Sequence, residues 1–133
     1  MRIFKFGGAS VKDAEGIKNV FSVLEKVGHE DTLLVISAMG KTTNALEVVI
    51  KNYFEKSNEL HSSLQEVKKY HYQILMDLFE DEEHDVYFAV NSHFADLEYF
   101  IRSNKSPNYN FVYDQVVSYG EIISTTIVSH YFA

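Results

Sequence analysis

The sequence predicts an α/β fold in which a parallel βαβ unit is followed by a helix-rich remainder. Three observations carry this expectation. Residues 2–6 (Arg-Ile-Phe-Lys-Phe) have strand composition, are too short for a helix and stop at Gly7-Gly8. Residues 31–37 (Asp-Thr-Leu-Leu-Val-Ile-Ser) form an apolar run that suits a strand buried on both faces of a parallel sheet. From Leu46 onward, apolar residues recur at helical spacing almost to the last residue.

The chain has 133 residues, enough for a single core, and 46% of them are hydrophobic, which fits a folded chain rather than a disordered one. There is no Cys, so disulfides, thiolate metal sites and a Cys nucleophile are excluded. A net charge of −7 argues against a nucleic-acid partner, although a local lysine and backbone N–H groups still suffice to hold a phosphate. The N-terminus has no charged-then-apolar leader and no apolar run reaches membrane-spanning length. The expectation is a cytoplasmic protein with no membrane partner.

In order, the first strand runs into a glycine turn that is expected to open a helix, with Ser10 as its cap and Asp13 three residues on. Ile17, Val20, Phe21, Leu24 and Val27 then share one helical face, and Gly28 is the expected stop. The second strand completes a βαβ unit, for which a right-handed crossover is the default. Its two strands run parallel, so the loops after Phe6 and Ser37 leave the sheet at the same carboxyl edge, where open α/β sheets bind ligands.

Leu46, Val49, Ile50, Tyr53 and Phe54 make the next helical face. Leu60, Leu64, Val67, His71, Leu75 and Leu78 make a longer one, and the acidic run Glu80 to Glu83 ends it. Val86, Val90, Phe94, Leu97 and Ile101 follow, then a loop with Pro107, then Val112, Val116, Tyr119, Ile123, Ile127 and His130. Phe88, Phe94, Tyr99 and Phe100 are read as core, as are His71 and His130. Two strands are few for a sheet, and the final helix is still in phase at Ala133. These features suggest the N-terminal piece of a longer protein.

Lys5-Phe6-Gly7-Gly8 offers a lysine beside turn N–H groups, a good local arrangement for an anion; the plain alternative is a tight βα turn with a solvated lysine. Gly40-Lys41-Thr42 resembles the end of a Walker A loop, but the glycine which that loop requires five residues earlier is Val35 here, so a P-loop is rejected. Lys41 remains a loop lysine near the ligand edge. Ser37 and Thr43 place hydroxyls after the second strand; they either bind a small polar ligand or serve locally, Ser37 ending the strand and Thr42 or Thr43 capping a helix.

Glu121 follows a mid-helix Gly120, a residue that often marks close backbone approach. Asp114, Ser118, Glu121 and Thr125 share a face away from the apolar stripe, which is either a solvated surface or the setting for a carboxylate that receives an ammonium group. The histidines show no zinc-ligand spacing, and no metal site is assigned.

Taken together, residues 5–11 (Lys-Phe-Gly-Gly-Ala-Ser-Val), 35–44 (Val-Ile-Ser-Ala-Met-Gly-Lys-Thr-Thr-Asn) and 114–124 (Asp-Gln-Val-Val-Ser-Tyr-Gly-Glu-Ile-Ile-Ser) resemble, in order and spacing, the N-terminal part of the aspartokinases (aspartate kinases), within the amino acid kinase family. The resemblance implies that residues 1–133 are the N-terminal part of a catalytic domain with a three-layer α/β/α sandwich and parallel strands, helix-rich in this portion. It implies ATP-dependent phosphorylation of the side-chain carboxylate of L-aspartate, the first step toward lysine, threonine and methionine. Lys5 would be catalytic and, with Phe6, Gly7 and Gly8, would hold the ATP phosphates, with Mg2+ accompanying the nucleotide. Ser37 and Thr43 would contact aspartate, and Glu121 would bind its amino group.

The family usually carries Thr where this chain has Ala9, so a hydroxyl contact near the phosphates is lost. The rest of the kinase domain, with most of the adenine pocket, and the regulatory ACT domains would lie outside the chain. The parent is expected to be a homo-oligomer and the piece to be inactive alone. The alternatives are another amino acid kinase with a different acceptor, or a non-catalytic helical interaction module.

Overall fold

The computed structural model describes residues 1–133. The order is β1 (Arg2–Phe6), α1 (Ala14–Val27), β2 (Thr32–Ile36), α2 (Thr42–Phe54), α3 (Leu60–Leu78), α4 (Asp85–Ser103) and α5 (Tyr109–Phe132). β1 and β2 pair in parallel, with Ile3 opposite Leu33, Lys5 opposite Val35 and Phe6 opposite Ile36. The βαβ unit expected from the sequence is present.

Side chains alternate across a strand, so the pair has two faces. Phe4, Phe6, Leu34 and Ile36 turn toward the helices. Ile3, Lys5, Leu33 and Val35 turn away, and Leu33 and Val35 remain 50% and 42% exposed. Within residues 1–133 the helices pack from one side only, so the expected burial of the second strand on both faces is not met inside this chain. An uninterrupted apolar run is compatible with either arrangement, because the second layer is a property of the fold and not of the strand.

The start of α1 also differs from expectation. The glycine pair does not open the helix; residues 7–13 form tight turns, with N–H groups of Ser10 and Val11 donating to the carbonyls of Gly7 (3.0 Å) and Gly8 (3.3 Å). The cap is Asp13, not Ser10: an Asp13 carboxylate oxygen accepts from the Gly16 N–H at 2.8 Å. Val11 is fully buried and pins these turns to the core. Gly28 ends α1 at φ +82°, a left-handed angle that favours glycine, and the Arg2 guanidinium donates to the Val27 and Gly28 carbonyls at 3.1 and 2.9 Å.

The core lies mainly among the helices; of the two strands only Ile36 is buried, and it keeps 9% of its surface exposed. α2 packs on α3 and α5, and α4 packs on α5 and α3. Lys68 and Glu98 link α3 to α4 by an ion pair of 2.8 Å. The exposed acidic run forms the α3–α4 connection, and the His84 ring accepts from the Val86 N–H to cap α4. Asn108 caps α5 through the Phe111 N–H at 3.1 Å.

The apolar stripes predicted for α2 to α5 are the buried ones, with two corrections: Phe54, at the end of α2, is 36% exposed, and α4 turns two of its aromatics outward. Phe94 is core and Phe100 half-buried, but Phe88 and Tyr99 are 77% and 63% exposed. Val86, Val90, Phe94 and Leu97 occupy the inward face, and residues opposite them cannot turn inward as well.

His71 is fully buried, as expected, while His130 is only half-buried. One His71 ring nitrogen faces the Val67 carbonyl at 2.8 Å and the other has no partner. Burial holds the imidazole below its ordinary value of 6.5, and the hydrogen bond to Val67 opposes this only in part. The folded value therefore lies below the unfolded one, so the unfolded chain takes up a proton that the folded chain refuses. Stability from this site is complete above about pH 6.5 and is lost as pH falls below it. In urea unfolding at about pH 7.5 and about pH 5, the wild type is expected to lose more stability on acidification than His71→Leu. Equal losses would show that His71 is not the group responsible.

Candidate functional site

Two loops leave the carboxyl edge of the sheet and lock together. The Ser37 N–H donates to the Phe6 carbonyl at 3.0 Å, and the Gly40 N–H to the Gly8 carbonyl at 2.9 Å. The two adjacent glycines answer to different constraints. A Cβ on Gly8 would sit 2.7 Å from the Gly40 carbonyl oxygen and 3.0 Å from that of Ala38, whereas a Cβ on Gly7 would meet nothing within 4 Å. Gly8 is thus explained by loop packing. Gly7 borders open space.

The N–H groups of Gly7, Gly8 and Ala9 donate to no acceptor in these turns. Successive backbone N–H groups at a turn form a concave anion site where they converge. Lys5 lies just before them on the open face of β1, exposed and without an ion pair. The N-terminus of α1 is displaced to Asp13, so its dipole does not act at the glycine pair itself. On the Phe6 side of the strand, opposite Lys5, a groove of about 430 Å³ is lined in part by Lys12, Asp13 and Glu15, two carboxylates to one ammonium.

α5 closes on this edge. A Cβ on Gly120 would lie 3.0 Å from the Ala38 Cβ and 3.4 Å from Leu46 and Thr42 side-chain carbons, so the glycine permits the close approach that its mid-helix position suggests. The Ser124 hydroxyl donates to the Ser37 carbonyl at 2.7 Å. This contact brings the segments holding Ser37, Thr43 and Glu121 to one place. Glu121 and Thr125 line a groove of about 480 Å³ with Val35, the register partner of Lys5.

The structure sorts the neighbouring hydroxyls by role. Thr42, the first residue of α2, donates to the Met39 carbonyl at 2.5 Å, and Ser124 is used by Ser37, so both are structural. Neither Thr42 nor Thr43 caps α2; its cap position is Lys41, with no side-chain hydrogen bond. The polar side-chain groups of Lys5, Ser37, Thr43 and Glu121 make no hydrogen bond or ion pair within the chain, leaving them available to a ligand. Lys41 is likewise exposed.

One residue at this edge escaped the sequence reading. The Tyr70 hydroxyl, from α3, donates to the Lys12 carbonyl and would collide with a Cβ on Gly40, whose φ is +53°. Tyr70 thereby braces both glycine loops. Its hydroxyl is held above the ordinary tyrosine range by burial and then by the nearby Asp13. The only sequence signal was a tyrosine beside the apolar stripe of α3, which does not single it out. No group of three or more His, Asp or Glu side chains is placed to hold a metal ion.

Comparison with known proteins bears on this arrangement. The chain is 28% identical over 128 residues to the bifunctional aspartokinase/homoserine dehydrogenase 2 of Escherichia coli K12, covering 96% of this chain and 16% of that protein. It is 29% identical over 135 residues to the chloroplastic aspartokinase 1 of Arabidopsis thaliana, covering 97% of this chain and 23% of that one. The chain therefore spans less than a quarter of the length of either relative. The crystal structure of E. coli aspartokinase III in complex with aspartate and ADP superposes with a TM-score of 0.83 at 20% identity, covering 98% of this chain and 28% of that one. That likeness concerns the fold. The sequence model of the amino acid kinase family matches residues 1–133 from end to end, and the chain belongs to the amino acid kinase family.

Proposed function

We propose that this chain is the N-terminal part of the catalytic domain of an aspartate kinase, which transfers the γ-phosphoryl group of ATP to the side-chain carboxylate of L-aspartate to give 4-phospho-L-aspartate. The observation that carries the reading is the run of unpaired N–H groups at Gly7, Gly8 and Ala9 beside an unpaired Lys5, on the edge where Glu121 also arrives. Phosphoryl transfer needs positioning and neutralised charge more than covalent chemistry. Lys5 and the turn N–H groups supply both to the phosphates, and Phe6 sets the turn by accepting from Ser37.

Ser37 and Thr43 offer hydroxyls to the substrate carboxylates, and Glu121 offers an anionic group suited to an ammonium. The aspartate and ADP bound by E. coli aspartokinase III support this pairing of ligands. Mg2+ belongs to the same proposal as a companion of the nucleotide; with no carboxylate cluster here, phosphate oxygens and water would supply most of its ligands.

No helix is long and apolar enough to cross a membrane. A cytoplasmic location, a homo-oligomeric parent and a place in lysine, threonine and methionine biosynthesis complete the reading. The Arabidopsis relative is, by its name, chloroplastic. The chain alone is expected to make no aspartyl phosphate, because the adenine pocket and further aspartate contacts are assigned outside it. Hydroxylamine trapping tests both halves. Aspartyl hydroxamate should form with the longer enzyme, and any formed by the isolated chain would overturn the claim of inactivity.

In the longer enzyme, Glu121→Gln keeps the side-chain shape and removes the charge. It should raise KM for aspartate by about 10- to 100-fold, the loss of one charge-assisted hydrogen bond, with little change in KM for ATP. An unchanged KM for aspartate would remove Glu121 from the site.

A further inference from the structure

We infer that the outward face of α4 is a self-association surface, on which a second copy of this chain packs antiparallel about a two-fold axis. α4 carries two stripes. The inward stripe belongs to the core. The outward one runs Asp85, Phe88, Ser92, Ala95, Tyr99 and Arg102, at alternating spacings of three and four residues, the repeat of a helix–helix seam. Phe88 and Tyr99 lie 77% and 63% exposed on it, and no other element of the chain covers them. Phe88 and Tyr99 stand about 16 Å apart along the helix, so each is a separate anchor on the stripe and the two do not form one continuous apolar patch.

The order of residues along the stripe says what fits it. Reversed and laid against itself with the axis between Ser92 and Ala95, the stripe sets Asp85 against Arg102 of the second copy and Phe88 against Tyr99 of the second copy. Ser92 then meets Ala95 of the second copy. The small residues fall at the crossing, where they permit close approach of the helices. The aromatic pairs flank them, and the opposite charges close both ends. Arg102 already lies over the Tyr99 ring, 5.8 Å from its centre, so its charge is held on this face.

Every pair occurs twice by symmetry, as a two-fold interface requires. A parallel arrangement would instead set Asp85 against Asp85 of the second copy and Arg102 against Arg102 of the second copy. The seam spans about 25 Å of helix, which places it among small, reversible interfaces with micromolar dissociation constants.

Sedimentation equilibrium of the chain across the micromolar range tests this. The wild type should show a monomer–dimer equilibrium. Asp85→Arg alone and Arg102→Asp alone each put like charges together at both ends, and each should weaken the dimer by about tenfold or more. The double variant exchanges the charges and should return to within about threefold of wild type. All these residues are exposed, and circular dichroism should report the same helix content throughout. A chain that stays monomeric, a dimer that the single reversals do not weaken, or a double variant that fails to recover each overturns the proposal.

Discussion

Replacing Lys5 by Ala is expected to lower turnover of the longer enzyme by about 10²–10³, the loss seen when one preorganised donor to a developing negative charge is removed. The side chain is exposed and makes no ion pair, so the fold should not register the change; thermal stability should shift by no more than about 0.5 kcal/mol. This separation of activity from stability is what gives the substitution its force. In the chain alone, calorimetric titration with magnesium-ATP should give weak binding that Lys5→Ala removes. Full turnover in the variant would place Lys5 among solvated surface lysines and leave the glycine turn as ordinary loop structure, as the reading of a non-catalytic helical module requires.

The two glycines should respond in opposite ways. Gly8→Ala drives a methyl group to 2.7 Å from one backbone oxygen and 3.0 Å from another, and neither belongs to a flexible side chain. The loops must part, at the expense of the 2.9 Å bond between the Gly40 N–H and the Gly8 carbonyl. A destabilisation of about 1–3 kcal/mol is expected, as for other overpacked sites. Gly7→Ala meets no atom within 4 Å and requires no left-handed backbone angle. Its stability should be unchanged or rise by about 0.4–1 kcal/mol through the unfolded state. Its methyl group would nevertheless stand in the open space that the phosphates are proposed to occupy, and magnesium-ATP affinity should fall by about tenfold or more, the equivalent of losing one hydrogen bond to a charged group. Denaturant unfolding and calorimetry on the two variants read these effects independently. If Gly7→Ala binds nucleotide as the wild type does, the turn does not cradle the phosphates.

Both predictions depend on a distinction that the string Gly7-Gly8 does not contain. Either glycine could border a ligand or a neighbouring loop. The choice rests on Ala38 and Gly40, which lie some thirty residues away in sequence and arrive through the pairing of β1 with β2. The hydroxyls divide in the same manner. Thr42 and Thr43 are adjacent and chemically equal, yet Thr42 turns back to the Met39 carbonyl while Thr43 stays exposed and free.

The sequence by itself determined the elements and their order. Strand composition before a glycine break, helical spacing over long stretches and a glycine stop at Gly28 are local properties, and local sterics and hydrogen bonding act on them directly. It also located the ligand edge, since two parallel strands must release their loops at the same end. Tertiary structure alone decided which groups at that edge are free, because availability is set by partners distant in the chain: Ser124 for the Ser37 carbonyl, Tyr70 for the glycine loops, Ala38 for Gly120. Within this chain it left one side of β2 uncovered. It also decided between the stripes of α4, where Phe88 and Tyr99 are apolar enough for a core, yet Val86, Val90, Phe94 and Leu97 fill it. A helix shows its periodicity from within, but the face that turns inward is chosen by the surfaces waiting to receive it.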